Sequence, residues 1–224
     1  MDANGAAVHA WQVTLLKERR CSRADKEICG VRFSIFPGVY QGGRDTELMI
    51  NSSSILPSET FLEIGCGAGA ISIHLARTGA SGMGLDINPG AVANSRFNAR
   101  LLGVHNVSFT LGNVFDGIED RHNVILFNAP FSSHPAKDHV ERMFWDPGDE
   151  AKRAFFLGLR SRLLPGGRAY FGWARLGGLD HNLPCSLAEA NGLYLARTHT
   201  CPSRSGLYEH EVLEFALGEE VNAG

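Results

Sequence analysis

The stretch FLEIGCGAGAISIHLA, residues 61–76, contains the strongest fold signal in the chain. An apolar run gives way to glycines at positions 65, 67 and 69, and the apolar residues that follow have helical spacing. Glycines in a strand-to-helix turn let the backbone approach a ligand closely and adopt positive φ. The stretch also satisfies the dinucleotide fingerprint, so these glycines predict an adenosine-bearing ligand without identifying it.

Strand and helix patterns alternate from Thr60 onward. Buried strands are predicted for TFLEIG, SGMGLDI, NVSFTL, NVILFN and RAYFGWA, with helical segments between them. The segments LYLARTHT and HEVLEFAL predict a closing antiparallel pair. We therefore expect an α/β fold with a seven-stranded, mostly parallel sheet, an antiparallel C-terminal strand and helices on both faces. Ligands of such sheets bind beyond the carboxyl ends of the strands.

The length of 224 residues and the hydrophobic content of 44% allow one sizeable core. Residues 1–50 are expected to form a helix and strand extension that is part of the substrate and cofactor cover. Residues 51–217 are expected to form the main domain, and residues 218–224 a flexible tail. Residues 132–149 are polar and contain two prolines, which predicts a long loop or lid.

The formal net charge of -3, from 21 basic and 24 acidic residues, argues against extended nucleic-acid binding. Five cysteines, odd in number and widely spaced, suit a reducing compartment. No CxxC pair is present, and no metal site is predicted. The first residues lack a signal-peptide pattern, and no apolar run is long enough to span a bilayer. We therefore expect a cytoplasmic protein without membrane contact and leave its oligomeric state open.

Two features outside the glycines discriminate between adenosine ligands. Glu63 stands two residues before the first glycine, where dinucleotide folds usually bury an apolar residue. A carboxylate there suits a cofactor that bears an amino-acid cation. Asp86, 21 residues after Gly65, can accept both ribose hydroxyls of either ligand class. The second discriminating feature is the sequence NAPF, residues 128–131, at the end of the fourth predicted strand.

These motifs resemble those of the class I S-adenosylmethionine methyltransferases. The pattern ExGxGxG at 63–69, Asp86 and the segment GNVFDG at 112–117 carry the resemblance. NAPF is similar to the Asn-Pro-Pro-Tyr/Phe signature of the branch that methylates nitrogen. That branch includes HemK-type protein-glutamine, adenine N6 and guanine-N2 methyltransferases. The segment GVYQGGRDTELMI, residues 38–50, is similar to the one that precedes the cofactor strand in HemK-type enzymes.

The resemblance implies a Rossmann-like class I methyltransferase fold, S-adenosylmethionine as cofactor, and methyl transfer to nitrogen. The cofactor-binding residues that it implies are Glu63, Gly65, Gly67, Gly69, Asp86, Asn113 and Thr46. Arg44 is a candidate substrate-binding residue because Arg44-Asp45-Thr46 resembles the family's segment over the methionine end of the cofactor. His134 and Trp145 are candidates because they lie in the loop after NAPF. The alternatives are the N-terminus of a helix predicted at about 45–54, with Asp45 or Thr46 as its cap, a solvated loop histidine and a packed loop anchor.

The chemistry of NAPF favours an acceptor with an NH2 group. The Asn128 side-chain oxygen and the Ala129 carbonyl can each accept one N–H bond, which aims the nitrogen and excludes a hydroxyl. Pro130 holds the turn rigid, and Phe131 can stack on a planar group.

Three departures from the branch leave the acceptor open. Within the signature, Ala129 replaces a proline and Phe131 replaces the tyrosine common in glutamine methylation. The N-terminal extension is short, and Asn113 replaces a frequent aspartate. The acceptor alternatives are a protein amide, a metabolite or natural-product amine, and a nucleobase. Alternatives of another kind are an NAD-dependent oxidoreductase and a non-catalytic partner subunit.

Overall fold

The N-terminal part of the chain forms two helices and a two-stranded ribbon. The computed structural model describes residues 3–218. The first elements are α1 (Ala3–Arg19), β1 (Ala24–Ile28), β2 (Val31–Ile35) and α2 (Arg44–Ser52). Strand β1 is a correction, because its charged sequence was not among the strands predicted. It pairs antiparallel with β2 through a two-residue turn in which Cys29 and Gly30 have positive φ.

A seven-stranded sheet forms the centre of the molecule, as predicted. Its strands are β3 (Thr60–Ile64), β4 (Ser81–Asp86), β5 (Val107–Leu111), β6 (His122–Phe127), β7 (Leu163–Arg175), β8 (Leu193–Pro202) and β9 (Glu209–Leu217). Their spatial order is β5-β4-β3-β6-β7-β9-β8. The first five pair in parallel, whereas β9 runs antiparallel to both β7 and β8. Strand order therefore reverses between β3 and β6, the position at which ligands bind in such sheets.

Helices cover both faces of this sheet. They are α3 (Ala70–Arg77), α4 (Pro89–Leu101), α5 (Glu150–Arg162) and α6 (Leu183–Ala190), with 3-10 turns at Glu141–Met143 and Pro147–Asp149. Consecutive residues of β3 pack on opposite faces of the sheet: Phe61 belongs to one hydrophobic cluster and Leu62 to the other. The predicted fold class is confirmed.

Buried asparagines of α4 attach the ribbon to the sheet. Asn98 accepts a hydrogen bond from the Ser34 backbone amide (3.0 Å) and donates to the Ala68 carbonyl (2.9 Å). Asn94 donates to the Ser34 carbonyl across 2.7 Å. The same helix therefore holds both the ribbon and the glycine turn.

Helix α1 packs on the segment 132–149. Leu15 and Leu16 lie in one apolar cluster with Phe144 and Trp145. The predicted flexible tail lies outside the described residues except for Gly218, which donates to the Gly192 carbonyl at 3.0 Å. Within residues 3–218 the structure contains no helix with the length and apolar character to cross a bilayer.

Candidate functional site

The glycine turn between β3 and α3 depends on backbone conformations that favour glycine. Gly65, Gly67 and Gly69 have φ of +69°, +52° and +85°. A Cβ at Gly69 would lie 3.0 Å from the Ser95 Cβ, and one at Gly65 would lie 3.4 Å from the Phe127 ring. The turn lines a cavity at the carboxyl ends of β3, β4 and β6, called the first cavity below.

Glu63 lies in the wall of the first cavity and is 1% exposed. Its Oε2 accepts hydrogen bonds from the Ser72 backbone amide (2.9 Å) and from the Ser72 hydroxyl. Burial raises the pKa of Glu63 to about 8, and the hydrogen bonds from Ser72 oppose this shift. The first turn of α3 therefore fixes the carboxyl group. A cation in the cavity would stabilise its charged form.

Asp86, at the end of β4, joins the glycine turn to the start of α4. Its Oδ2 accepts from the Gly67 amide and its Oδ1 from the Asn88 amide, both at 2.9 Å. Burial raises the pKa of Asp86, and the two backbone hydrogen bonds act in the opposite direction. Each carboxylate oxygen has a second lone pair, so the group can still accept hydroxyl donors.

Thr46 and Asn113 approach the first cavity from α2 and from the loop after β5. Thr46 is buried, and its hydroxyl accepts from the Gly43 amide at 3.3 Å. The side chain of Asn113 is exposed at the rim. The next residue, Val114, has φ of +51°, which is rare for a β-branched side chain and marks a strained loop.

Asn128 is held in a defined orientation at the end of β6. Its Nδ2 donates to Asp45 Oδ2 across 2.7 Å, and the Tyr40 hydroxyl donates to Asp45 Oδ1 at 3.0 Å. Because a carboxylate only accepts, the amide nitrogen must face Asp45, which leaves the Asn128 oxygen as an acceptor. A side chain at Gly172 would overlap this oxygen, so the glycine provides its space.

A buried ammonium group secures the NAPF turn from the other side. Lys152 is 0% exposed, and its Nζ donates to the Pro130 carbonyl at 2.9 Å. The same nitrogen lies 3.1 Å from Asp146 Oδ2 and 3.0 Å from Asp149 Oδ1. Paired charges of this kind fix the turn to the start of α5.

A second cavity of about 410 Å³ adjoins the first. It lies between α1, the NAPF turn and the loop that joins β8 to β9. The residues that line both cavities are Tyr40, Gln41, Gly42, Asn128, Pro130 and Met143. Asn128 therefore stands at the junction of the two cavities.

The sequence model of the family described as "Methyltransferase domain" matches residues 55–195. The chain belongs to this family. The range runs from before β3 to the start of β8 and so includes the glycine turn, Asp86 and the NAPF turn. The resemblance drawn from the motifs is confirmed.

Relatives of this methyltransferase-family chain include two with glutamine methyltransferase names. The first, a candidate protein N5-glutamine methyltransferase of Methanocaldococcus jannaschii, is 39% identical over 106 residues, 47% of this chain and 53% of the relative. The second, the release factor glutamine methyltransferase of Cereibacter sphaeroides, is 30% identical over 191 residues, 79% of this chain and 67% of the relative. The chain thus spans about half to two thirds of the length of these curated relatives.

Solved structures share the fold of this methyltransferase-family chain. The ribosomal protein L11 methylase of Lactobacillus delbrueckii has a TM-score of 0.60 at 18% identity, over 82% of this chain and 84% of its own. A T. thermophilus 16S rRNA N2 methyltransferase, solved with AdoMet and guanosine, has a TM-score of 0.62 at 21% identity, over 88% and 50%.

The structure separates the three residues predicted to bind substrate. Arg44 lines the second cavity and donates to the Pro202 carbonyl at 3.1 Å. Trp145 is buried, lines the first cavity and donates from Nε1 to Gln12 Oε1 at 3.1 Å. The His134 ring packs on His9 with centroids 4.3 Å apart, outside the walls of both cavities. No group of three or more metal-ligating side chains occurs within residues 3–218.

The contacts of three residues in the site could not be predicted from sequence motifs. Asp45 was recognised only as part of a segment near the cofactor and as a helix cap. Lys152 and Gly172 carry no local motif, and each acts through a contact between distant elements.

Proposed function

We propose that the chain is an S-adenosylmethionine-dependent methyltransferase of HemK-like type. It transfers a methyl group to the NH2 nitrogen of a planar amide or amine. The observation that carries this proposal is Asn128, whose oxygen is kept as an acceptor by Asp45 at the junction of two cavities. Family membership also supports it and disfavours the oxidoreductase alternative.

The first cavity fits S-adenosylmethionine by its shape and by its donor set. Gly65 and Gly67 line it with positive φ and without side chains, which lets a ligand approach the backbone closely. The residues proposed to hold it are Glu63 and Thr46 at the amino-acid end, Asp86 at the ribose, Asn113 at the adenine edge, and Gly65, Gly67 and Gly69 along the turn. When bound, this cofactor supplies an electrophilic methyl group.

The NAPF turn is proposed to position the acceptor nitrogen. Asn128 Oδ1 and the Ala129 carbonyl each accept one N–H, which directs the nitrogen lone pair to the methyl carbon. The bound cofactor would supply the methyl group and retain the electron pair of its broken carbon–sulfur bond on the sulfur, and the methylated nitrogen would lose one N–H proton to water. Pro130 and the Lys152 ammonium keep the turn rigid, and Phe131 packs against the planar group.

A glutamine side-chain amide in a protein is the first acceptor that we propose. The names of the two relatives support it, because both denote glutamine methylation. A small molecule is the second candidate. It is supported by helix α1, which forms part of the wall of the second cavity and so limits the size of an acceptor. The net charge of -3 disfavours a nucleobase within an extended nucleic acid.

The residues that line the two cavities also support separate roles for the N-terminal extension and the rest of the chain. Residues 1–50 are proposed to form a cover over both cavities, because α1, β1 and Tyr40 contribute to their walls. Residues 51–217 are proposed to form the methyltransferase domain proper.

Labelled methyl donor and a fractionated cell extract test the proposal. We expect label in protein or in small molecules, together with calorimetric binding of S-adenosylmethionine. Tight NAD binding without S-adenosylmethionine binding would contradict it. Donor binding without label in any fraction would favour a non-catalytic partner subunit.

A further inference from the structure

The wall of the second cavity is rich in basic side chains. Lys26 of β1, Arg44 at the start of α2 and Arg204 in the β8–β9 loop all line it. Asp45 is the one carboxylate among the described lining residues, and it already accepts from Tyr40 and Asn128. The cavity therefore carries a surplus of positive charge that this carboxylate does not neutralise.

Two of the three cations that line the second cavity have no partner within residues 3–218. Among the described residues, neither the Lys26 ammonium nor the Arg204 guanidinium has a hydrogen bond or an ion pair. Burial lowers the pKa of Lys26, and the charges of Arg204 and Arg19 lower it further, while Glu47 and Asp45 act in the opposite direction. A bound anion would relieve this repulsion.

Arg19, at the end of α1, lies outside the lining of the second cavity, but its charge acts on Lys26. Its Nε and Nη1 are buried without a hydrogen-bond partner among the described residues. Such buried donors are costly unless a ligand or ordered water meets them.

Two further unpartnered donors belong to the wall of the cavity. The Gln12 oxygen accepts from Trp145, so the unpartnered atom is the amide nitrogen, a donor. The indole nitrogen of Trp173 is also buried without a partner. Both residues line the cavity. Away from Asn128 the wall therefore offers donors and cations, which suits a ligand with negatively charged oxygens.

We propose that the methyl acceptor carries a carboxylate or phosphate close to its NH2 group. Lys26 and Arg204, with Arg44, hold this anion while Asn128 holds the nitrogen. The inference rests on the proposed methyltransferase function and narrows its substrate class. The anion has two possible sources: an acidic or phosphorylated residue beside a glutamine in a polypeptide, and a free small acid.

The chemical neighbourhood of the methylated nitrogen tests this inference. Wild-type protein is incubated with labelled S-adenosylmethionine and cell extract, and the labelled products are identified by mass spectrometry. We expect an acidic group beside the methylated nitrogen. A labelled low-mass acid identifies a free small molecule, and a labelled glutamine beside an acidic or phosphorylated residue identifies a polypeptide. A neutral or cationic neighbourhood would overturn the inference.

Variants that remove the positive charges test whether Lys26 and Arg204 bind the anion. They are assayed with the acceptor identified in the extract. The double variant Lys26→Met with Arg204→Gln should lower kcat/KM about tenfold or more through lost Coulomb attraction. Its calorimetric affinity for S-adenosylmethionine should stay within about twofold of wild type. Arg197→Gln is the matched control, since Arg197 is exposed on β8 outside the cavity.

Two results would overturn the assignment in distinguishable ways. A double variant with wild-type kcat/KM would show that these cations do not hold the acceptor. A wild-type protein that binds S-adenosylmethionine but labels nothing would contradict the proposed function itself, and the inference would fall with it.

Discussion

The amide nitrogen of Asn128 donates to Oδ2 of Asp45 across 2.7 Å, and this contact joins residues that are 83 positions apart in the chain. It connects the start of α2 to the end of β6. The Tyr40 hydroxyl donates to the same carboxylate, so Asp45 is itself fixed. The acceptor character of Asn128 is therefore set by the N-terminal extension as well as by the motif in which it lies.

Replacing Asp45 by asparagine should lower turnover without loss of cofactor binding. The new amide can donate as well as accept, so it no longer forces the Asn128 nitrogen to face it. We expect kcat to fall about 100-fold, as small misplacements of a positioning group can cost. Tyr40→Phe keeps the contact between Asp45 and Asn128 and should cost less. Steady-state rates with the identified acceptor decide this, and an unchanged kcat for Asp45→Asn would contradict the positioning role.

Asn128→Ala should abolish turnover and leave the S-adenosylmethionine affinity within a few-fold of wild type. The substitution removes the side-chain oxygen proposed to accept an acceptor N–H, while the glycine turn keeps its contacts. Methyl-transfer assays and calorimetry on the same preparation measure the two effects separately. If cofactor binding collapses instead, Asn128 has a structural role and the proposed one is wrong.

The sequence predicted the central sheet and the glycine turn because their signals are local. The run from Thr60 to Gly69 contains its own periodicity and turn residues, and its strand, turn and helix occur as expected. Strand β1 was missed because three of its five residues are charged and only Ile28 is buried. Charged residues give no apolar periodicity, although the pairing with β2 makes this segment a strand.

The contacts that define the site depend on tertiary structure. Asp45 meets Asn128, and Lys152 meets the Pro130 carbonyl, only after the sheet has brought their elements together. Neither pair has a characteristic spacing in the chain. His134 was proposed from its position after NAPF, but the loop directs it towards His9 of α1. Loop direction is set by such packing contacts, which sequence patterns do not encode.

The folded protein should lose stability through Glu63 as the pH rises from about 4.5 to about 8. Burial raises the pKa of Glu63 from 4.5 to about 8, and the nearby Asp86 charge adds to the shift. In that window the folded state retains a proton that the unfolded chain releases. The contribution to the free energy of unfolding therefore falls with pH, by at most about 1.4 kcal/mol per pH unit.

Urea unfolding without cofactor at pH 5.5, 7 and 8.5 checks this dependence. The stability of wild type relative to Glu63→Gln should decrease steadily across the series. Glu119→Gln, at an exposed position, is the control and should show no such trend. A pH-independent difference between wild type and Glu63→Gln would show that Glu63 does not carry the effect.

Lys152→Met should destabilise the protein by about 3–5 kcal/mol, because it leaves the buried Asp146 carboxylate without its cation. Asp146 would still accept from the Ala151 and Lys152 backbone amides, which cannot replace a full charge. The Pro130 carbonyl would lose its ammonium donor, so kcat should fall as well. Lys137→Met, on an exposed side chain of the same loop region, should change stability by no more than about 0.5 kcal/mol. Urea denaturation of both variants measures the difference, and a loss below about 1 kcal/mol for Lys152→Met would mean that the NAPF turn does not rely on this buried charge.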